Sequence, residues 1–140
     1  MLTEPEILEA LFQAYDAHDL TRVASLYAAD ATHVDVAAGR PKKGRDRIVD
    51  GLASFLSGFP DASWSLSASA TAEQRAFGQY VVAGSLQQDL WSFNGLGQRL
   101  ELPGVLVLHC TGGLIQRSED YWDAGTFRRQ MTHNHEGDQA

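Results

Sequence analysis

The stretch Ala76–Trp91, AFGQYVVAGSLQQDLW, decides the fold. It is apolar on both faces of a two-residue repeat, which predicts a long strand at the centre of a sheet, covered on both sides. A hairpin turn, Asn94-Gly95-Leu96-Gly97, follows it. The next segment, Arg99–Cys110, has leucines at alternate positions and is predicted to be the antiparallel neighbour of the first strand.

Two further strands are predicted on either side of this pair. Ser63–Ala70 alternates serine with apolar residues, and Leu114–Asp123 follows the turn Thr111-Gly112-Gly113. Ahead of them the chain predicts helices that begin after Thr3 and Asp19, a strand at Ala31–Ala38 and a helix at Arg45–Leu56; a short helix at Thr126–Met131 follows the last strand.

Helices that precede a run of strands do not form repeated βαβ units. We therefore predict an α+β fold, a cone-shaped, curved and mostly antiparallel sheet wrapped around the N-terminal helices, as in a cystatin-like α+β roll. The length of 140 residues predicts a single domain over residues 1–140. Residues 132–140 are polar and are expected to form a disordered tail.

Composition excludes several classes of function. The formal charge of −7 argues against nucleic acid, which requires a basic face. No apolar run approaches the ~20 residues that span a bilayer, and the amino terminus lacks an apolar signal core, so a cytoplasmic protein without membrane partners is expected. The single cysteine, Cys110, fits a reducing compartment.

Several segments resemble the nuclear transport factor 2-like superfamily. These are Leu26–Thr32, Gly44–Asp46 and the closing Gly113–Asp123, which is most similar to SnoaL-like polyketide cyclases and limonene-1,2-epoxide hydrolase. The resemblance covers about residues 5–131 and implies a fold with an interior pocket. Because this fold hosts isomerases, cyclases, hydrolases and non-catalytic binders, it does not by itself name a reaction.

Carried over by position, the resemblance implies three catalytic aspartates. Asp35 matches the base of ketosteroid isomerases, although Leu11 stands where their oxyanion tyrosine would be. Asp120 matches the acid–base aspartate of the cyclases. Asp89, preceded by Gln87, matches an epoxide hydrolase carboxylate, but the arginine of that motif is absent.

The strand repeat places Gln87, Asp89 and Trp91 on one face, and Ser118, Asp120 and Trp122 on one face of another strand. Periodicity leaves open which faces are concave; the resemblance places Asp35, Asp89 and Asp120 inside. The alternative for Asp120 is a surface carboxylate paired with Arg117 or Arg128. The expected substrate-binding residues are His33, Gln87, Trp91, Trp122, Tyr15 and Leu106.

The sequence has no metal-ligand motif and no glycine-rich phosphate loop, so neither a metal nor a cofactor is expected. The leading hypothesis is a cofactor-free acid–base enzyme, similar to SnoaL-like cyclases, for a small hydrophobic carbonyl or polyketide-type substrate. The alternatives are an epoxide hydrolase and a non-catalytic ligand-binding or dimerisation module. A homodimer through the sheet is expected, with Val82, Leu86, Val105 and Val107 on its convex face.

Overall fold

The computed structural model describes residues 1–133. Along the chain the elements are α1 (Glu4–Asp16), α2 (Leu20–Leu26), β1 (Tyr27–Asp35), β2 (Pro41–Lys43), α3 (Arg45–Gly58), β3 (Ser63–Ala72), β4 (Arg75–Leu86), β5 (Gln98–Thr111), β6 (Leu114–Trp122) and α4 (Ala124–His133). Of the tail predicted at residues 132–140, the first two residues end α4, and residues 134–140 lie outside the described part of the chain.

The strands form one open sheet in the order β2-β1-β6-β5-β4-β3. The pair β1 and β6 is parallel, and the other neighbours are antiparallel. The predicted α+β class with a curved, mostly antiparallel sheet is therefore confirmed. Helices α1, α2 and α3 cover the inner face, so the core lies between them and the sheet.

The helix starts follow the local sequence. Thr3 and Glu6 form the predicted capping box, in which each side chain accepts a hydrogen bond from the backbone of the other. Asp19 accepts from the backbone of Arg22 at the start of α2. Helix α1 then buries Ile7, Leu8, Leu11 and Phe12 against the sheet.

The predicted strand Ala76–Trp91 is too long at its end. Strand β4 stops at Leu86, because the next backbone N–H, of Gln87, bonds to the carbonyl of Gly58 (2.9 Å) and not to β5. A loop then returns to the sheet, and the N–H of Gly97 bonds to the carbonyl of Leu86 (2.8 Å). The two-residue repeat therefore does not apply to residues 87–91.

Two more features differ from expectation. Between β1 and α3, where no strand is predicted, the chain forms β2, whose Lys42 pairs with His33 on β1. Val82 and Leu86 lie in the core and not on the convex face, because the even positions of β4 point inward. No helix within residues 1–133 is long and apolar enough to cross a bilayer.

Candidate active site

A cavity of about 150 Å³ opens on the inner face of the sheet. That volume suits one aromatic ring or a molecule of similar size. Its wall is mostly apolar, with a few polar groups that converge on one side, which is the usual composition of a ligand site. The predicted site residues that line it are Tyr15, His33, Asp35, Trp91, Asp120 and Trp122; Lys42, Trp64, Tyr80 and Leu102 are among the others.

The polar side of the cavity is built by the parallel pairing of β1 and β6. Their register sets His33 beside Ser118 and Asp35 beside Asp120. Alternate residues of a strand share one face, so all four side chains point the same way. One ligand-type atom each of His33, Asp35 and Asp120 lies within 4.8 Å of the others.

Asp120 is the carboxyl group with the most perturbed acidity in this cluster. The Tyr80 hydroxyl donates a hydrogen bond to its Oδ1 (2.6 Å). Burial raises the pKa of Asp120 to about 6, the nearby charge of Asp35 adds to the rise, and the bonds and charges from Tyr80 and His33 oppose it. A carboxyl with a pKa near neutrality can both take and return a proton at physiological pH.

Asp35 is held in the opposite state. Burial alone would raise its pKa, but the hydrogen bonds and charge of His33, the bond from Trp122 Nε1 and the charge of Lys42 outweigh burial and lower the pKa. The corresponding distances are 3.4 Å to His33 Nε2, 3.1 Å to Trp122 Nε1 and 3.7 Å to Lys42 Nζ. The environments of the two carboxyl groups therefore shift their pKa values in opposite directions. Asp35 stays ionised while Asp120 gains and loses a proton, an arrangement that gives the two groups separate acid–base roles.

A chain of hydroxyl groups holds His33 in place through its Nδ1 atom. Its Nδ1 lies 2.6 Å from Ser118 Oγ, which lies 2.8 Å from the Tyr27 hydroxyl. The Tyr15 hydroxyl interacts with that of Tyr27 at the end of this chain. Burial raises the pKa of Tyr27 to about 12 and raises that of Tyr15 as well, so both remain neutral donors. This chain fixes the imidazole ring against Asp35.

Aromatic side chains form the rest of the wall. Tyr15 and Trp64 pack with ring centroids 5.2 Å apart, and Trp122 and Trp91 each contact Phe127. Trp91 is 63% exposed and has a positive φ of 53°. A bulky residue is strained in that conformation, which recurs where a side chain is held for a ligand.

Three predicted placements are wrong. Gln87 and Asp89 lie outside the cavity in the loop after β4, where Gln87 bonds to Ser85 and Asp89 accepts from the Gly95 backbone N–H (2.9 Å). The two-residue repeat gave the wrong placement there because β4 ends before these residues. Leu106 is on the inner face opposite Asp120 in register, but it is 1% exposed within the core and does not border the cavity.

The surface alternative for Asp120 is also wrong, since Arg117 pairs with Glu119 (3.0 Å) and Asp120 borders the cavity. Asp123, by contrast, caps α4 by accepting from the Thr126 backbone N–H (2.8 Å). Tyr80 and Lys42 were missed as site residues. A tyrosine among small and apolar residues on the even face of β4 was the available signal, because a buried phenol requires a partner.

Whether the cluster could hold a metal follows from its hydrogen bonds. The sequence predicted no metal ligands together, yet His33, Asp35 and Asp120 converge. Both nitrogens of His33 are already engaged, with Ser118 and Asp35, and Lys42 adds a positive charge beside the carboxylates. These contacts favour proton transfer over metal binding as the role of the cluster.

Comparison with known proteins agrees with this architecture. Similar solved structures include a SnoaL-like polyketide cyclase candidate from Jannaschia sp. CCS1 (TM-score 0.85, 14% identity, 92% of this chain and 91% of that one) and a polyketide cyclase candidate from Xanthomonas campestris pv. campestris (TM-score 0.79, 22% identity, 91% and 96%). A protein with a ketosteroid isomerase-like fold from Catenulispora acidiphila DSM 44928, in complex with trimethylamine, has a TM-score of 0.79 at 23% identity, over 93% of this chain and 95% of that one.

At these identities the likeness concerns the fold. A search of curated protein sequences finds no match. The model of the SnoaL-like domain matches residues 8–118, which span most of the chain and include β1 and the part of β6 up to Ser118. On this match, the chain belongs to the SnoaL-like domain family.

Proposed function

We propose that this protein is an acid–base enzyme that moves a proton at a carbon next to a carbonyl, on a small hydrophobic substrate. The observation that carries the proposal is the paired acidity of the cavity: Asp120 has a pKa of about 6, and Asp35 beside it has a lowered pKa. Similar structures that include polyketide cyclase candidates agree with this class of chemistry.

Asp120 has the position and protonation state for the proton transfer. Its Oδ1 accepts from Tyr80, and within residues 1–133 no donor reaches Oδ2, so Oδ2 is the oxygen that takes the proton from carbon. The substrate then carries the negative charge as an enolate. In a cyclisation the enolate carbon bonds to a second carbonyl carbon, and the proton on Asp120 passes to that oxygen.

Asp35 and His33 have a positioning role in this scheme. Ionised Asp35 holds the imidazole and receives a bond from Trp122, and its charge favours the protonated form of Asp120. The aromatic wall excludes water from the enolate. Opening of an epoxide by a water between Asp120 and Asp89 has lost its basis, because Asp89 lies outside the cavity.

Exchange of carbon-bound hydrogen tests the proposal without the natural substrate. The protein in deuterated water is incubated with 4-phenylbutan-2-one, and deuterium uptake next to the carbonyl is followed by NMR. We expect uptake above the buffer rate, increasing with pH through about 6 as Asp120 ionises, and a loss of at least about a hundredfold of the enzymatic rate in Asp120→Asn.

Asp89→Asn is the matched control, since it also removes a carboxylate but outside the cavity; it should exchange at the rate of the parent protein. Exchange at the buffer rate in the parent protein, while the ketone still shifts the indole NMR signals of the cavity tryptophans, would favour a non-catalytic binding module.

A further inference from the structure

A second recess adjoins the cavity at its mouth. Its volume is about 440 Å³, and it shares with the cavity the lining residues Asp35, Lys42, Trp91, Trp122 and Phe127. The cavity and the recess are therefore continuous, with space for a ligand that is longer than one ring. The recess also contains Arg128, which makes it the place where two cationic side chains border the path to the cavity.

Lys42 reaches this position because α3 leaves room for it. Strand β2 sets Lys42 beside His33, and its alkyl chain passes over Gly51 of α3. A Cβ built on Gly51 would lie 2.6 Å from Lys42 Cε and 3.2 Å from Lys42 Cδ. Any side chain at position 51 would therefore displace the end of Lys42. Glycine at this position therefore leaves the space through which Lys42 extends to the cavity.

The charges of the recess suit an anion. Lys42 Nζ is 3.7 Å from Asp35, beyond hydrogen-bonding distance, so its donors remain available. The guanidinium of Arg128 makes no ion pair with any residue in 1–133. Two cations against the one carboxylate of Asp35 leave the lining positive, in a chain whose formal charge is −7.

We propose that the substrate carries a carboxylate, bound in this recess by Lys42 with Arg128, while its apolar part enters the cavity toward Asp120. This inference rests on the proposed function for the cavity and adds the substrate class. Lys42 gives a point charge and Arg128 a planar pair of donors, both of which match a carboxylate. The anchor also sets which carbon of the substrate lies at Asp120.

A matched pair of probes tests it, 3-phenylpropanoate and the neutral 3-phenylpropanamide. All three tryptophans line the cavity, so their indole NMR signals report binding of either probe. We expect the acid to bind about fivefold more tightly than the amide at low salt, and the difference to fall as salt is added. Lys42→Met should remove the preference and leave the affinity for the amide within about twofold.

Gly51→Ala tests the placement of the charge separately from its presence. Alanine favours a helix over glycine, so the melting temperature should hold or increase. The end of Lys42 must shift to make room, so the preference for the acid should weaken. Arg128→Gln should reduce the preference, and Asp89→Asn should not change it. Equal binding of acid and amide, or a preference that survives Lys42→Met, would overturn the inference and leave the proposed function standing. Failure of both probes to bind would count against both.

Discussion

At the scale of single residues, the main feature is the unequal acidity of two aspartates on neighbouring strands. Asp35 receives three partners that favour its charge, whereas Asp120 receives a neutral phenol and faces the charge of Asp35. The folded protein would therefore be more stable with an uncharged side chain at position 120. Such a conflict between stability and function is common at catalytic sites.

The conflict predicts a pH-dependent gain in stability for Asp120→Asn. The unfolded chain loses this proton near the ordinary value of 3.8, but the folded protein keeps it to about 6. The free energy of unfolding of the parent protein should therefore decrease between these values as pH rises. Asn removes this loss and should be more stable by on the order of 2 kcal/mol at pH 7.5, with little difference at pH 4.

Urea unfolding followed by tryptophan fluorescence at both pH values measures the difference. Asp89→Asn, which removes a carboxylate outside the cavity, is the control. It keeps Asp120, so its stability should fall with rising pH as that of the parent does. A difference between Asp120→Asn and the parent that is the same at pH 4 and 7.5 would contradict a raised pKa of Asp120.

At the scale of elements, the register of β4 against β5 positions Tyr80. It sets the tyrosine opposite Gly104, and a side chain at position 104 would collide with the phenol ring and lie 2.9 Å from the Tyr121 carbonyl oxygen. The glycine therefore makes the space from which Tyr80 reaches Asp120. The two-residue repeat grouped Ser118, Asp120 and Trp122 on one face of β6, but it did not predict this cross-strand pair, because periodicity within a strand carries no register.

Gly104→Ala should therefore disturb the site through Tyr80. Overpacking should lower the free energy of unfolding by about 1–3 kcal/mol. The displaced phenol should lose its hydrogen bond to Asp120. Because that bond opposes the rise in the pKa of Asp120, the pKa should rise further. Carboxyl carbon NMR measures that pKa, and Tyr80→Phe should raise it in the same direction without the clash. An unchanged pKa in Gly104→Ala would show that the glycine does not position Tyr80.

At the scale of the whole molecule, the order of helices and strands was enough to predict the class of fold and an interior pocket. The family resemblance predicted Asp35, His33 and Asp120, and these residues lie together where the regular strands β1 and β6 run side by side. The prediction of the site failed where the chain leaves the sheet. Strand β4 ends where backbone hydrogen bonds to Gly58 and Leu86 begin the loop, so Gln87 and Asp89 do not lie on the expected face. Lys42 was missed because a three-residue strand has too few positions to show a repeat.

The convex face of the sheet is the remaining large surface without a partner among residues 1–133. Val82 and Leu86 were expected on this face but lie in the core. The register instead pairs Phe77 with Val107 and Tyr121 with Val105 on the convex face. Val105 and Tyr121 are 38% and 44% exposed, which leaves an apolar patch open to solvent. The flanking side chains of His109 and Arg117 both contact Glu119 on the same face, at 3.0 Å each.

We therefore expect a two-fold dimer through this face. Multi-angle light scattering should give twice the 15.3 kDa chain mass at micromolar concentration, and Val105→Lys should give the monomer, because it places two unpaired ammonium groups in the interface. Leu96→Lys is the matched control, since Leu96 is exposed in the loop after β4 and away from this face. The inner cavity lies on the opposite side of the sheet, so the monomeric variant should still bind 3-phenylpropanamide. A parent protein that is monomeric over this range would show that the convex patch has no partner in a second copy.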